Sequence, residues 1–169
     1  APLRLSPTLS VASWDDLAGL QAQARATGAE GLMLKRRDAA YGAERHRGAW
    51  GKWKVAPFVC DAVLVAAQPG HGGRTTRLTD YTFAVWQGDE LISVAKTGSG
   101  LTAAETDAID AFVRAHTTGR FGPARLVTPE LVFELAFDGV APSARHKAGF
   151  VLRRPRIVRW RHDKRPPEA

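Results

Sequence analysis

Phe58-Val59-Cys60-Asp61-Ala62-Val63-Leu64-Val65-Ala66-Ala67 is the stretch on which the fold turns. It is rich in apolar and β-branched residues, a composition that reads as strand. The same character returns at residues 81–87, 90–96 and 131–137. Clusters of turn formers separate these runs: residues 69–73, Gly88-Asp89 and Gly98-Ser99-Gly100. One helix interrupts the strands. Thr102 and Glu105 have capping-box spacing, Ile109, Phe112 and Val113 make an apolar face, and Gly119 is expected to end it.

Several strands with one inserted helix in ~110 residues suit a small Greek-key barrel, and an OB-fold is one candidate. Upstream the character differs. Residues 3–8 could form a short strand. Ser13 reads as an N-cap with Asp16 in the capping-box position, and residues 14–27 carry Leu17, Leu20 and Ala24 on one face before Gly28. Gly31–Lys35 is an apolar run of strand length, residues 38–48 read as a loop, and residues 50–55 read as a strand. Pro57 marks a boundary, because the residue before a proline avoids helix. The expectation is a mixed α+β, mainly β chain in two parts, residues 1–57 and residues 58–169.

The chain is 44% hydrophobic, which excludes a mostly disordered segment. No apolar run approaches the ~20 residues of a membrane span, and the N-terminus lacks a signal-peptide pattern, so a soluble cytoplasmic protein is expected. Cys60 is the lone cysteine and can form no internal disulfide; it reads as a small buried hydrophobe. His46, His71, His116, His146 and His162 lack metal-ligand spacing. Net charge is +7, which favours a polyanionic partner. Arginine far outnumbers lysine and asparagine is absent, a bias that looks like a high-GC bacterium.

Three constellations carry chemistry. In Glu30-Gly31-Leu32-Met33-Leu34-Lys35-Arg36, a carboxylate at a strand edge can hold a hard cation beside a phosphate, although an ordinary junction would look the same. In Trp50-Gly51-Lys52-Trp53-Lys54, alternation places Lys52 and Lys54 on one face, suited to a triphosphate or equally to a basic edge strand. The third runs from Arg153 to Lys164. Period-two spacing would gather Arg159, Arg161 and Asp163, with Arg154, Arg156 and Lys164 pointing elsewhere or belonging to the turn; Ile157, Val158 and Trp160 interleave as in a packed strand.

The order and spacing of these three resemble the covalent nucleotidyltransferases, most closely the ATP-dependent DNA ligases of the small bacterial repair type. Glu30-Gly31-Leu32-Met33-Leu34-Lys35 resembles motif IV of that superfamily. Asp38-Ala39-Ala40-Tyr41 leading to Trp50-Gly51-Lys52-Trp53-Lys54 resembles motif V and its approach. Arg154-Pro155-Arg156 through Arg161-His162-Asp163-Lys164 resembles motif VI, with its Arg-x-Asp-Lys ending. The block 130–137, followed by Ser143 and His146, resembles the late OB-domain strands. The resemblance implies the end of a nucleotidyltransferase (adenylation) domain followed by an OB-fold domain. It implies that Glu30 helps hold Mg2+ or Mn2+, and that Lys52 and Lys54 contact the α-phosphate of ATP. Arg156, Arg161, Asp163 and Lys164 would serve the nucleotide and its departing pyrophosphate. The implied acceptor is nicked double-stranded DNA, sealed through enzyme-AMP and DNA-adenylate, with Arg74, Arg77 and Lys96 as candidate DNA contacts.

Two departures qualify the resemblance. No lysine here sits in the Lys-x-Asp-Gly motif of the family's nucleophile: Phe137-Asp138-Gly139 has Asp-Gly without the lysine. A fragment that cannot adenylate itself is therefore expected, partnered by the missing N-terminal part of the adenylation domain. Also, Arg45-His46-Arg47 replaces the Arg-Ser common before motif V. The alternatives are a capping-type guanylyltransferase or RNA ligase, or a stand-alone OB-type module, for which no exposed aromatic platform is identifiable in the sequence.

Overall fold

The computed structural model describes residues 7–40, 48–70 and 77–169. The chain divides into two compact units, Ala1–Ala56 and Pro57–Ala169. In the first, helix α1 (Trp14–Gln23) opens on the expected capping box: Ser13 Oγ accepts the Asp16 N–H and Asp16 accepts the Ser13 N–H. The helix is shorter than the expected 14–27, because the chain passes through turns to Gly28 at φ +73°. Leu17 and Leu20 are half-buried and Ala24 is buried, so the apolar face exists but is shallow. Strands β1 (Gly31–Lys35) and β2 (Trp50–Lys54) pair antiparallel, with Gly31 opposite Lys54 and Met33 opposite Lys52. Gly31 is required here. Its φ is +134°, and a Cβ would lie 2.1 Å from the Trp53 carbonyl oxygen. Residues 7–8 are not strand, and the rest of the expected 3–8 segment lies outside the described residues, as does most of the 38–48 loop.

The second unit is a curled antiparallel sheet. Strands β3 (Phe58–Pro69), β4 (Leu78–Gln87) and β5 (Glu90–Thr97) form a meander, and β4 and β5 are joined at Gly88-Asp89. Helix α2 (Ala103–Ala115) follows, with Thr102 and Glu105 forming the expected capping box and Ile109 and Val113 fully buried. It ends at Ala115, not at Gly119. Gly119 instead lies in β6 (Thr117–Phe121), which makes a hairpin with β7 (Ala124–Val127). Strands β8 (Val132–Phe137), β9 (Gly139–Pro142), β10 (Phe150–Arg153) and β11 (Arg156–Trp160) complete the unit, before a 3-10 turn at Pro166–Glu168. The main sheet runs β11-β8-β3-β4-β5, with β7 also on β3. Strands β6, β7, β9 and β10 are short, polar or proline-bearing, and no two-residue periodicity announces them.

The sheet closes on itself after β5. The Ile157 N–H donates to the Ser99 carbonyl at 2.9 Å, joining the end of β5 to the far edge strand β11. Gly100, at φ +110°, permits this approach: a Cβ there would lie 1.9 Å from the Ile157 carbonyl oxygen. A bulge between Ile157 and Arg159 bends β11 at the same place. Inside the curl, Leu64, Tyr81, Phe83, Val94, Ile109, Phe133 and Leu135 form a dry core, with Phe83 edge-on to Phe133 at 5.4 Å between centroids. Burying each of the aliphatic and phenylalanine side chains among them contributes about 1.5–3 kcal/mol. Cys60 packs half-buried against this core, and burial pushes its thiol above the ordinary cysteine value. That is the inert environment expected of a packing residue. Among the described residues, no helix is long and apolar enough to cross a membrane.

Candidate phosphate site

In the first unit, alternation along the β1–β2 ribbon places Lys52 and Lys54 on one face, as expected, with Trp50 beside them. The register puts Lys35 and Met33 on that same face, and the Lys35 ammonium sits over the Trp50 ring at 4.1 Å from its centroid. Three ammonium groups therefore project from one exposed ribbon. Among the described residues, the Lys52 side chain makes no ion pair or hydrogen bond. Glu30 precedes β1, and its carbonyl accepts the Val55 N–H at 3.1 Å, which fixes the strand edge carrying its carboxylate. Among the described residues, no three His, Cys, Asp or Glu side chains gather to hold a metal. Glu30 could thus supply one oxygen donor to a hard cation.

In the second unit, a charge network forms where β11 ends. Strand pairing stops at Trp160, whose ring stacks on Phe133 and on His162 at centroid distances of 5.4 and 4.4 Å. Arg161 follows, its N–H held by the Val132 carbonyl at 2.8 Å. Its guanidinium uses both edges. Nη1 donates to both Asp61 oxygens at 3.0 and 3.1 Å, while Nε and Nη2 grip Asp163 bidentately at 2.8 Å each. Glu134 lies 3.6 Å from Nη1 and accepts Arg159 at 2.9 and 2.7 Å. Lys164 Nζ reaches Asp61 at 2.5 Å.

Arg159, Arg161 and Asp163 do come together. The cause is this pairing, since the two-residue period ends at Trp160 and residues 162–163 form a turn. Lys164, expected to point elsewhere or to belong to the turn, closes the turn with its N–H on the Arg161 carbonyl at 3.2 Å and joins the same network through Asp61. The Arg161 side chain is only 13% exposed, whereas Asp163 and Arg159 are 64% and 59% exposed. The Arg161 hydrogen bonds hold the Asp163 carboxyl well below the usual carboxylate range, so it stays ionised. Asp163 in turn raises Arg161 above its ordinary value, with Asp61 and Glu134 adding to the effect.

Asp61 and Glu134 are the residues that sequence reasoning missed. They face each other in register on β3 and β8, two carboxylates side by side that only a shared cation stabilises. Each is a single acid inside an otherwise apolar strand run, and that is the signal that could have found them. Arg156 sits apart from the network. With Arg154 it flanks Asp138: Arg154 Nε lies at 2.9 Å and Arg156 Nη1 at 3.9 Å from its carboxylate. Arg154 adopts φ +50° before Pro155, and the Asp138 N–H donates to the Arg153 carbonyl at 3.0 Å. Asp138 therefore braces the β10–β11 turn. Of the candidate DNA contacts, Arg77 pairs with Asp107 at 2.6 Å and Lys96 with Asp80 at 3.3 Å, both cations remaining about half exposed. Arg74 lies outside the described residues.

A closed five-strand Greek-key curl with a helix after its third strand defines an OB-fold, and its C-terminal strand delivers a basic, ion-paired cluster. A family model described as ATP dependent DNA ligase C terminal region matches residues 74–164, and the chain belongs to this family. It is 43% identical over 159 residues to a probable DNA ligase of Koribacter versatilis, covering 94% of this chain and 28% of the relative. It is 40% identical over 167 residues to a probable DNA ligase of Opitutus terrae, covering 97% and 16%. The chain thus spans less than a third of the length of these relatives. Among solved structures, the ligase domain of LigD from M. tuberculosis superposes with a TM-score of 0.58 at 22% identity, covering 88% of this chain and 50% of that one. A structure of the Lig E DNA ligases gives 0.59 at 20% identity, covering 90% and 48%. At such identities these likenesses establish a shared fold.

Proposed function

We propose that the chain is the C-terminal part of an ATP-dependent DNA ligase that seals nicks in duplex DNA. The observation that carries this reading is the Arg161–Asp163–Lys164 cluster, ordered at the end of an OB-fold strand by Asp61 and Glu134. Residues 1–57 would end the adenylation domain, and residues 58–169 would form the OB domain. Lys52 and Lys54 project compact positive charge from one ribbon face, which suits the α-phosphate of ATP and the charge that develops on it. Glu30 would supply one oxygen to Mg2+ or Mn2+, and the ion would neutralise phosphate charge. Asp163 and Lys164, the more exposed members of the cluster, would orient the departing pyrophosphate. Arg161 is mostly buried and would act by holding Asp163. Arg156, bound to Asp138, would contribute positive field near the nucleotide. Each chemical step is an in-line phosphoryl transfer governed by positioning and charge stabilisation. Arg77 and Lys96 are candidate contacts to the DNA backbone, Arg74 a third from sequence alone, and a bacterial cytoplasm is the proposed setting.

The full-length gene product, given radiolabelled ATP and then nicked duplex DNA, should take up label and discharge it as the nick is sealed. Preference for GTP with transfer to a 5′-diphosphate RNA end would instead assign the protein to capping chemistry. Absence of label from either nucleotide would refute both enzymatic readings.

A further inference from the structure

We propose that the β6–β7 hairpin is a nucleic-acid contact, with Phe121 as an apolar finger and Arg120 as its phosphate anchor. The inference rests on the DNA-ligase reading for the identity of the ligand. Phe121 is 81% exposed, the most exposed large apolar side chain among the described residues. It stands at the tip of a tight hairpin, opposite Ala124, where Gly122 turns the chain at φ +57°. Leu126, 42% exposed, shares its face across Gly119. Leaving two apolar side chains on a protruding ribbon costs solvation, and such patches mark interaction sites.

The opposite face of the hairpin breaks a second rule. Arg120 and Arg125 are direct cross-strand partners, a like-charge pair that weakens a ribbon unless an anion lies between or beside them. Arg125 has the electrostatic company of Asp110 on α2, but Arg120 is exposed and, among the described residues, its side chain makes no ion pair or hydrogen bond. Residues 120–123 are all exposed, so at the tip both faces of the ribbon are open, and a strand of phosphates and sugars crossing it meets Arg120 on one face and Phe121 on the other. The basic groups meet phosphate, and the ring stacks on a sugar or an unstacked base.

Register links this hairpin to the rest of the sheet. Leu126 is opposite Ala66, Ala66 opposite Thr82, and Thr82 opposite Lys96. Phe121, Leu126, Thr82 and Lys96 therefore lie on one sheet face that runs over β6, β7, β3, β4 and β5, with buried Ala66 between Leu126 and Thr82. The second and third barrel strands of OB-folds commonly carry oligonucleotides on such a face. The hairpin extends that face beyond the barrel edge and supplies the aromatic platform that the sequence did not reveal.

The test is fluorescence anisotropy of this chain on a labelled nicked duplex across a salt series. Phe121→Ala should weaken binding about tenfold at every salt concentration without changing the slope, and Phe121→Tyr should restore it. Arg120→Ala should lower the slope of log affinity against log salt by about one. Both positions are exposed, so unfolding temperatures should stay at the wild-type value. Wild-type affinity and slope in both alanine variants would overturn the hairpin assignment while leaving the ligase reading intact. Failure of the wild-type chain to show salt-dependent duplex binding would overturn that reading, and the assignment with it. A change of oligomeric state in Phe121→Ala, with DNA affinity unaltered, would make the finger a protein contact and refute the proposal.

Discussion

Asp61→Ala removes the acceptor of three charge-assisted hydrogen bonds, two from Arg161 and one from Lys164. Asp61 is 13% exposed, so solvent screens these bonds weakly. Truncating one partner of a buried ion pair costs about 3–5 kcal/mol. Two effects reduce that figure here. Arg161 retains Asp163 and Glu134, and Lys164, at 31% exposed, can turn toward water. The carboxylate of Glu134, directly opposite, also loses a like-charged neighbour, a relief of up to roughly 1 kcal/mol. The net expectation is about 2 kcal/mol of stability, a fall in unfolding temperature of about 8 °C for a unit of this size. Asp61→Asn, which keeps an acceptor without charge, should lose about half as much. The measurement is a urea titration followed by far-ultraviolet circular dichroism. It would be extended to a double-mutant cycle with Lys164→Met, where a coupling of about 1 kcal/mol is expected. If both Asp61 variants unfold within ~0.5 kcal/mol of wild type, the cluster is a solvated surface network and Asp61 does not order the C-terminal cations.

Four further outcomes are expected. Burial, reinforced by the charge of Asp110, pushes the Tyr81 phenol up to about 12. The folded state thus keeps a proton that the unfolded chain releases near pH 10, and stability attributable to Tyr81 should fall between pH 10 and 12 by up to about 2–3 kcal/mol; alkaline unfolding of Tyr81→Phe against wild type isolates this loss, and parallel curves would count against it. Gly100→Ala forces a Cβ onto the Ile157 carbonyl at a φ only glycine adopts readily, so it should cost at least about 2 kcal/mol and expose the β11 amides to hydrogen exchange. Thr102→Ala removes a capping box and should cost about 1 kcal/mol, read by thermal unfolding. On the proposed ligase function, Lys54→Ala and Lys164→Ala in the full-length protein should both slow self-adenylation, with Lys164 mattering mainly in that step; normal adenylation with abolished sealing in Lys164→Ala would contradict the pyrophosphate role.

Local chemistry was legible from the chain alone. Both capping boxes, at Ser13 and Thr102, are set by contacts three residues apart. The span of β1 and the shared face of Lys52 and Lys54 follow from short periodicities, and so does the apolar side of α2. The motif order from Glu30 to Lys164 was enough to point to the ligase family. Tertiary structure decided what depends on distant partners. Gly100 reads as a turn residue in sequence, yet its role is to let the end of β5 touch Ile157 and close the barrel. Arg161 reads in sequence as grouped with Arg159 and Asp163, yet only the fold shows that Asp61, a hundred residues earlier, and Glu134 bury its guanidinium and leave Asp163 exposed. Phe121 has the composition of a core residue, and only the hairpin's protrusion shows it to be exposed. Periodicity reports which way a side chain points relative to its neighbours in the chain. What it meets there is settled by sheet register and closure, because the energies of pairing and burial belong to contacts between strands.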